Sequence, residues 1–430
     1  MRANSALLLG LGLVLFSCGG SEPASPDAPA AFTYTGTPGQ PVQANFGGDL
    51  LADVAVTLNG QQAGLFTVDT GAAVTILNND VFTSKPTGRS NDDIGAFNLH
   101  FPGFPDVAFP IASGGFGLIG GDLLRHFAFT LDYEGDRAIL FDPFDPAKLP
   151  GDVQVQPAMD VGFALRGGSG GRVSRPAGCN TTACNIVFAP TRVILTAVVE
   201  NQTTPITIMI DSGASVSVMS PDLFNTLVDI PGQTRPRLDG LSLGGVTNAS
   251  IQAFLSRVYR LTLTGASGNA AAENIEIAVI PNDELLPSLS SEVGTNVQML
   301  VGGSFLRYFL VTVDYPKNVI HFAQYTAPKR ISPDEFVGVG FALTFNSTSK
   351  QWSVAECYPN HDAFNQGIQV GDIVLDVDGT PITGASGATL DMLFGKFPNV
   401  GDKVPIVTNR SNGTLMIAVE NLLPDYFPPP

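Results

Sequence analysis

Two stretches of this 430-residue chain share one order of apolar and polar positions. Leu65-Phe66-Thr67-Val68 runs into Asp69-Thr70-Gly71-Ala72 and then into Val74-Thr75-Ile76-Leu77. Ile206-Thr207-Ile208-Met209-Ile210 runs into Asp211-Ser212-Gly213-Ala214 and then into Val216-Ser217-Val218-Met219. Each reads as an apolar strand ending on an acid, a small turn, and a second β-branched strand. A helix start follows, with Asn79 and Ser220 as N-caps and Pro221 at a first helical position. The segments upstream match too. Residues 52–64 read as a hairpin around Asn59-Gly60, and residues 192–205 as its counterpart.

A second block repeats further on. Phe116–Phe141 aligns with Gln298–Phe322: two large apolar residues lead into Gly-Gly, then Leu-Arg and an aromatic, then a strand ending in Asp-Tyr. The acids are 142 residues apart and the glycines 182, so the second copy holds about forty extra residues, most of them within 233–282. The chain therefore reads as a duplicated β-rich unit, 40–150 and 185–328. Residues 151–184, with the Gly- and Ser-rich run Arg166–Gly178, read as an inter-lobe linker.

Composition sharpens this picture. The chain is 44% hydrophobic and 14% charged, with 47 Gly and 32 Pro, which favours short strands and turns over long helices. A net charge of −17 repels phosphate backbones, so no nucleic-acid partner is expected. A metal site would need more ligands than the chain's few cysteines and four histidines offer, so no metal centre is expected, and no cofactor is expected. The glycines at 167–171 lack a following helix or Lys-Ser/Thr, which excludes a phosphate loop. His126 stands where the other copy has Tyr308 and reads as a packed ring.

The N-terminus begins with Met1-Arg2 and an eleven-residue apolar run, Ala6–Phe16, too short to cross a bilayer comfortably. It reads as a secretory signal. Leu15-Phe16-Ser17-Cys18-Gly19 resembles the bacterial lipoprotein signal. That resemblance implies cleavage after residue 17, lipidation of Cys18, and a flexible tether over 18–39 that holds the protein in the bacterial envelope, on the outer membrane or cell surface. An ordinary signal peptide with an incidental cysteine is the alternative. Cys179 and Cys184, flanked by turn residues, suit a small-loop disulfide in an oxidising compartment. Cys357 reads as a buried free thiol.

The repeated strand–Asp-Thr/Ser-Gly-Ala–strand, followed by two apolar residues and Gly, resembles one half of an aspartic peptidase. Asp69, Thr70, Gly71 and Ala72 with Ile119 and Gly120 carry the resemblance in the first copy. Asp211, Ser212, Gly213 and Ala214 with Val301 and Gly302 carry it in the second. Alanine after the glycine and the run Ile119–Leu124 are closer to the retroviral than the pepsin type. The resemblance implies a mainly β, two-lobed, pseudo-twofold acid-protease β-barrel fold, in which one chain builds the site without oligomerising. Asp69 and Asp211 would share one proton and activate a water against a peptide bond. Thr70 and Ser212 would cross-link the loops beneath them. The apolar-apolar-Gly elements would brace the loops from behind. For a lid, residues 238–248 suit a Gly-tipped hairpin in the second copy, and residues 87–97 are the best candidate in the first. A single such Asp would more simply cap a turn; the duplication favours the dyad.

From 332 to 425 the pattern changes. A Gly-Phe turn leads into a strand at Phe341, and Gly371-Asp372 precedes a strand ending in the Asp378-Gly379 turn. This segment resembles a PDZ domain of the kind attached to envelope proteases, a small α/β module. The resemblance implies that backbone amides of Val339, Gly340 and Phe341 capture C-terminal peptides, which add as a strand; a module that only packs on the rest is the alternative. Altogether the sequence reads as an envelope aspartic-type endopeptidase acting on protein or peptide substrates. A non-catalytic peptide-binding scaffold is the second reading.

Overall fold

A computed structural model describes residues 39–46, 50–58, 61–73, 75–77, 95–100, 107–113, 117–141, 143–167, 190–244, 250–282, 285–328 and 336–427. The two copies fold alike. In the first, strands Asp53–Leu58 and Gln61–Val68 form the expected antiparallel hairpin, Val54 facing Phe66. Gln61–Val68 then runs parallel to Leu118–Ile119, which pairs with Ile76–Leu77. Ile76–Leu77 lies parallel to Val107–Ser113, whose antiparallel neighbour Gly95–His100 returns to Asp53–Leu58. The second copy repeats each step. Arg192–Val199 pairs with Ile206–Ile210, Ile206–Ile210 with Met299–Val301, and Met299–Val301 with Ser217–Met219. Ser217–Met219 then pairs with Asn269–Val279, and Ser250–Thr264 returns to Arg192–Val199.

The extra length of the second copy lies where the sequence put it. Strand Arg237–Gly244 and the long hairpin Ser250–Thr264/Asn269–Val279 occupy it. Ser220 caps helix Pro221–Leu227, its hydroxyl accepting from Leu223 N at 3.3 Å. Asn79, Asn59 and Gly60 lie outside the described residues.

A shared sheet joins the copies. Ala128–Asp132 pairs antiparallel with Phe309–Asp314, Thr130 opposite Thr312, and their hydroxyls are 2.6 Å apart. Residues 130 and 312 are equivalent in the duplication, so the pseudo-twofold axis passes between them. One apolar core runs through both copies, from Phe46, Phe66 and Phe127 to Ile208, Phe305 and Phe309. Truncating one such phenylalanine to alanine costs about 3–5 kcal/mol.

The linker assignment of 151–184 needs correction. Met159–Gly162 pairs with Val319–Gln324, and Ala164–Arg166 pairs with Arg192–Val199. Residues 159–166 thus do for the second copy what Pro41–Asn45 does for the first, where that strand joins Arg137–Phe141 to Asp53–Leu58. The pattern hid them because they are short, mostly solvent-facing edge strands with no apolar run. Residues 168–184 lie outside the described set, as do Cys18, Cys179 and Cys184.

The C-terminal module is built on a six-stranded sheet with helices Asp362–Asn365 and Gly387–Phe394 and its own core. Asp378 and Gly379 take φ of 54° and 70°, the left-handed pair that a tight Asp-Gly hairpin demands. Cys357 is a buried free thiol donating to Ile368 O, and burial raises it to about 11.

Candidate active site

Each acid ends a core strand and is held by the strand beside it. Asp69 N–H donates to Ile119 O and Asp211 N–H to Val301 O, both at 3.0 Å. Gly71 and Ala72 amides donate to Asp69 Oδ1 at 2.7 and 2.9 Å, and Gly213 N–H to Asp211 Oδ1 at 2.9 Å. The turn after each acid therefore points amides at its carboxylate.

Thr70 and Ser212 link the loops reciprocally. Thr70 Oγ1 donates to Ile210 O at 2.9 Å and accepts from Ser212 N at 3.0 Å. Ser212 Oγ donates to Val68 O at 2.7 Å and accepts from Thr70 N at 3.1 Å. Four hydrogen bonds thus tie the strand ends that carry the acids, so neither loop moves alone.

The loops meet closely. A Cβ on Gly71 would collide with the Asp211 carboxyl, and one on Gly213 with the Asp69 carboxyl. Only glycine lets each backbone approach the opposite acid. The carboxyls are within hydrogen-bond reach of one another. Both acids are fully buried, and the outer oxygens, Asp69 Oδ2 and Asp211 Oδ2, meet no other donor among the described residues. A proton between the two carboxyls satisfies that arrangement; two bare carboxylates would repel in a dry site. Burial first, then the neighbouring charge of Asp211, holds Asp69 well above the ordinary carboxylate range. Burial also raises Asp211, to about 6, against the pull of its hydrogen bonds and of Arg192. The two carboxyls therefore titrate as a pair, above the ordinary carboxylate range.

Ile119 with Gly120, and Val301 with Gly302, stand behind the loops as expected. A second brace was not read from the sequence. Thr75 donates through N and Oγ1 to Asp122 Oδ1, both at 2.7 Å, and its Oγ1 accepts from Gly120 N at 3.2 Å. In the second copy Ser217 N donates to Ser304 Oγ at 2.9 Å, and Ser217 Oγ accepts from Gly302 N at 3.2 Å. The signal was present: a hydroxyl six residues after each acid, and a polar residue two after each Gly120-type glycine. Arg192 was missed too. Its guanidinium is buried, Nε donating to Gly71 O at 2.8 Å and Nη1 lying 2.6 Å from Glu292 Oε2. One charged residue at the head of a strand gives no pattern to read.

In the second copy, Arg237–Gly244 pairs with Ser250–Ser256 as the hairpin expected around 238–248; its residues 245–249 lie outside the described set. Of the first-copy candidate 87–97, residues 95–97 open the strand Gly95–His100, which holds the place of Ser250–Thr264; residues 87–94 lie outside.

The C-terminal module touches that second-copy hairpin. Ser242 N donates to Glu356 Oε1 at 3.1 Å, and Pro359 packs at Gly240, whose φ is 86°. Phe336, Tyr358, Leu422 and Leu423 share an apolar cluster with Leu238, Leu241 and Leu243. Tyr426 lies under the Arg235 guanidinium at 3.6 Å. Within the module Gly340 takes φ of 74°, between buried Val339 and Phe341, and Phe341–Asn346 is the outermost described strand of its sheet. Among the described residues no cluster of three or more His, Cys, Asp or Glu is placed to hold a metal.

Two matched lobes about a pseudo-twofold axis, with mainly β structure throughout, define an acid-protease-like β fold. No family model and no curated protein matches the chain. Among solved structures it is similar to an aspartic proteinase from Irpex lacteus, at 11% identity and a TM-score of 0.38, over 68% of this chain and 98% of that one. So distant a likeness leaves the chemistry to be read from the site itself.

Proposed function

We propose that the protein is an aspartic-type endopeptidase of the bacterial cell envelope, lipid-anchored through Cys18, with a C-terminal PDZ module that recruits or gates substrate. The observation that carries the reading is the buried Asp69–Asp211 pair, in mutual reach and cross-tied by Thr70 and Ser212. One carboxylate takes a proton from water as that water attacks the scissile carbonyl. The protonated carboxyl hydrogen-bonds the carbonyl oxygen and donates as the tetrahedral diol forms; the proton taken from water then passes to the leaving amine as the C–N bond breaks, and a diol hydroxyl returns its proton to the other carboxylate. No cofactor enters this chemistry.

The contact of the module with the Arg237–Gly244 hairpin supports gating. A peptide carboxylate held at Val339, Gly340 and Phe341 would extend a strand along Phe341–Asn346, whose partner strand Gln351–Cys357 leads directly into the Tyr358-Pro359 contact.

The test is cleavage of unfolded proteins and of a peptide library between pH 3 and 8 by the parent and by Asp69→Asn. Turnover by the parent and its loss in a folded variant are expected. Equal digestion by both would sink the dyad assignment. Peptide binding by both with no turnover at any pH would make the protein a non-catalytic scaffold.

A further inference from the structure

The duplication makes the dyad loops nearly identical, and one charge breaks the match. The register that pairs Val193 with Ile210 continues to place Arg192 across from Asp211. In the first copy, Val54 pairs with Phe66, and the same continuation places Leu51 across from Asp69. Neighbouring contacts give the same equivalence, since Gly121 abuts Thr191 where Gly303 abuts Leu50. An apolar side chain thus stands opposite one acid and a buried guanidinium opposite the other.

Arg192 is fixed rather than merely near. Its Nε holds Gly71 O, and Gly71 is the residue whose backbone abuts the Asp211 carboxyl and whose amide donates to Asp69. Glu292, from helix Leu285–Val293, neutralises it in part from a more exposed position. The other titratable groups facing the pair, among the described residues, are Tyr133 towards Asp211 and Tyr315 towards Asp69. These two are duplicates, both buried and neutral, and so cancel across the axis. The amides nearly balance, Gly71 and Ala72 acting on Asp69 and Gly213 with Gly71 on Asp211, so among the described residues Arg192 is the charge that tells the two acids apart.

We propose that Arg192 is a positioning residue that breaks the symmetry of the dyad, making Asp211 the ionised base and leaving the shared proton on Asp69. Arg192 acts on Asp211 in the direction this requires, favouring its anion against the effect of burial. This assignment rests on the endopeptidase reading and says which acid attacks and which donates. Asp211 takes the water proton, and Asp69 gives its own to the carbonyl oxygen.

The test uses three variants and two readouts. Arg192→Leu puts the Leu51 side chain type in the same position and removes the charge. The acidic limb of the kcat/KM profile, which reports ionisation of the base, should move up by about one pH unit. Arg192→Lys keeps a cation and should hold the limb near the parent value. Glu292→Gln removes the countercharge, so the limb should move down, opposite to Arg192→Leu. Glu292 is 34% exposed, and glutamine keeps its length and an acceptor for Arg192 Nη1 while removing the charge. Carbon-13 NMR of Asp Cγ follows both carboxyls directly and needs no turnover. A cleaving parent whose limb stays put in Arg192→Leu, or moves the same way in Arg192→Leu and Glu292→Gln, overturns the assignment. Carboxyl titrations that shift as stated in a protein without turnover uphold the asymmetry and overturn the peptidase reading alone.

Discussion

The two halves carry one dyad loop on unequal supports. The loops agree residue for residue: Asp69 with Asp211, Thr70 with Ser212, Gly71 with Gly213, and the reciprocal hydrogen bonds between them. The supports differ. The first half braces its loop with a buried acid, Asp122, where the second uses Ser304. Among the described residues, the second half alone places an arginine beside its acid and a docked module beside its hairpin. Where both strands of the pair must reach the same point in space, the duplication is kept. Where each half meets its own surroundings, it has diverged.

The largest effect should come from breaking the matched part. On the proposed peptidase reading, Asp69→Asn and Asp211→Asn each remove one member of a proton-sharing pair, so each should lower kcat by at least 10²- to 10⁴-fold, the usual worth of acid–base catalysis. Because the acid pair is raised by burial, the same variants should also change stability with pH. A carboxyl whose folded pKa is raised stabilises the fold only while protonated. Its contribution is full below about pH 4, where the unfolded chain is also protonated, and is lost as pH rises towards the folded value. The parent should therefore lose thermal stability from pH 4 through 6 and beyond, and Asp69→Asn should flatten that fall. A melting temperature that climbs across the window would contradict the buried, proton-sharing pair.

The next effect tests whether the cross-ties are equal. Thr70→Val and Ser212→Ala each delete one donor and one acceptor in a buried site. Each should cost about 2–4 kcal/mol, taking roughly 1–2 per lost hydrogen bond. Chemical denaturation should give the two variants similar losses, with activity lowered in both. A cost concentrated in one variant would mean that one half alone holds the loops.

The matched part was the legible part. Two copies of an apolar strand ending in Asp-Thr/Ser-Gly-Ala led to Asp69 and Asp211, and the second Gly-Gly block led to their braces. Periodicity could not find Met159–Gly162 or Ala164–Arg166, because edge strands of three or four mostly solvent-facing residues carry no apolar signal. Thr75 and Asp122 are 47 residues apart, and only folding shows that they meet. Arg192 exists as a feature only by contrast with Leu51, and that contrast needs the strand register. The position of the module against Leu238–Leu243 is tertiary packing between segments more than a hundred residues apart, which composition does not encode.

The braces differ in charge, and pH should separate them. Burial raises Asp122 to about 6 from 3.8, despite three donors on its Oδ1. A shift of that size corresponds to about 3 kcal/mol of stability lost between pH 4 and pH 6–7. Asp122→Asn keeps an acceptor for Thr75 and cannot ionise, so it should remove that part of the slope. Ser304→Ala in the equivalent place should lower stability by about 1–3 kcal/mol at every pH. Equal pH slopes in the parent and Asp122→Asn, measured by denaturation at pH 4.5 and 7.5, would show that Asp122 is not the sensitive brace.

The smallest effect belongs to the surface that only the second half has. Glu356 accepts from Ser242 N at 3.1 Å across to the hairpin and from Tyr358 OH at 3.0 Å within the module, so one carboxylate links the hairpin to the module and steadies the tyrosine beside it. The apolar cluster around Tyr358 and Leu241 remains when this link is cut, so Glu356→Ala should cost the whole protein about 1 kcal/mol or less. The cut is local, however, and falls on the strand that flanks the hairpin. If the module steadies the hairpin over bound substrate, KM should rise a few-fold with kcat little changed, since only binding geometry is loosened. A KM unchanged in Glu356→Ala, with hydrogen exchange at Ser242 as slow as in the parent, would reduce the module to a passive neighbour and make the halves alike in function after all.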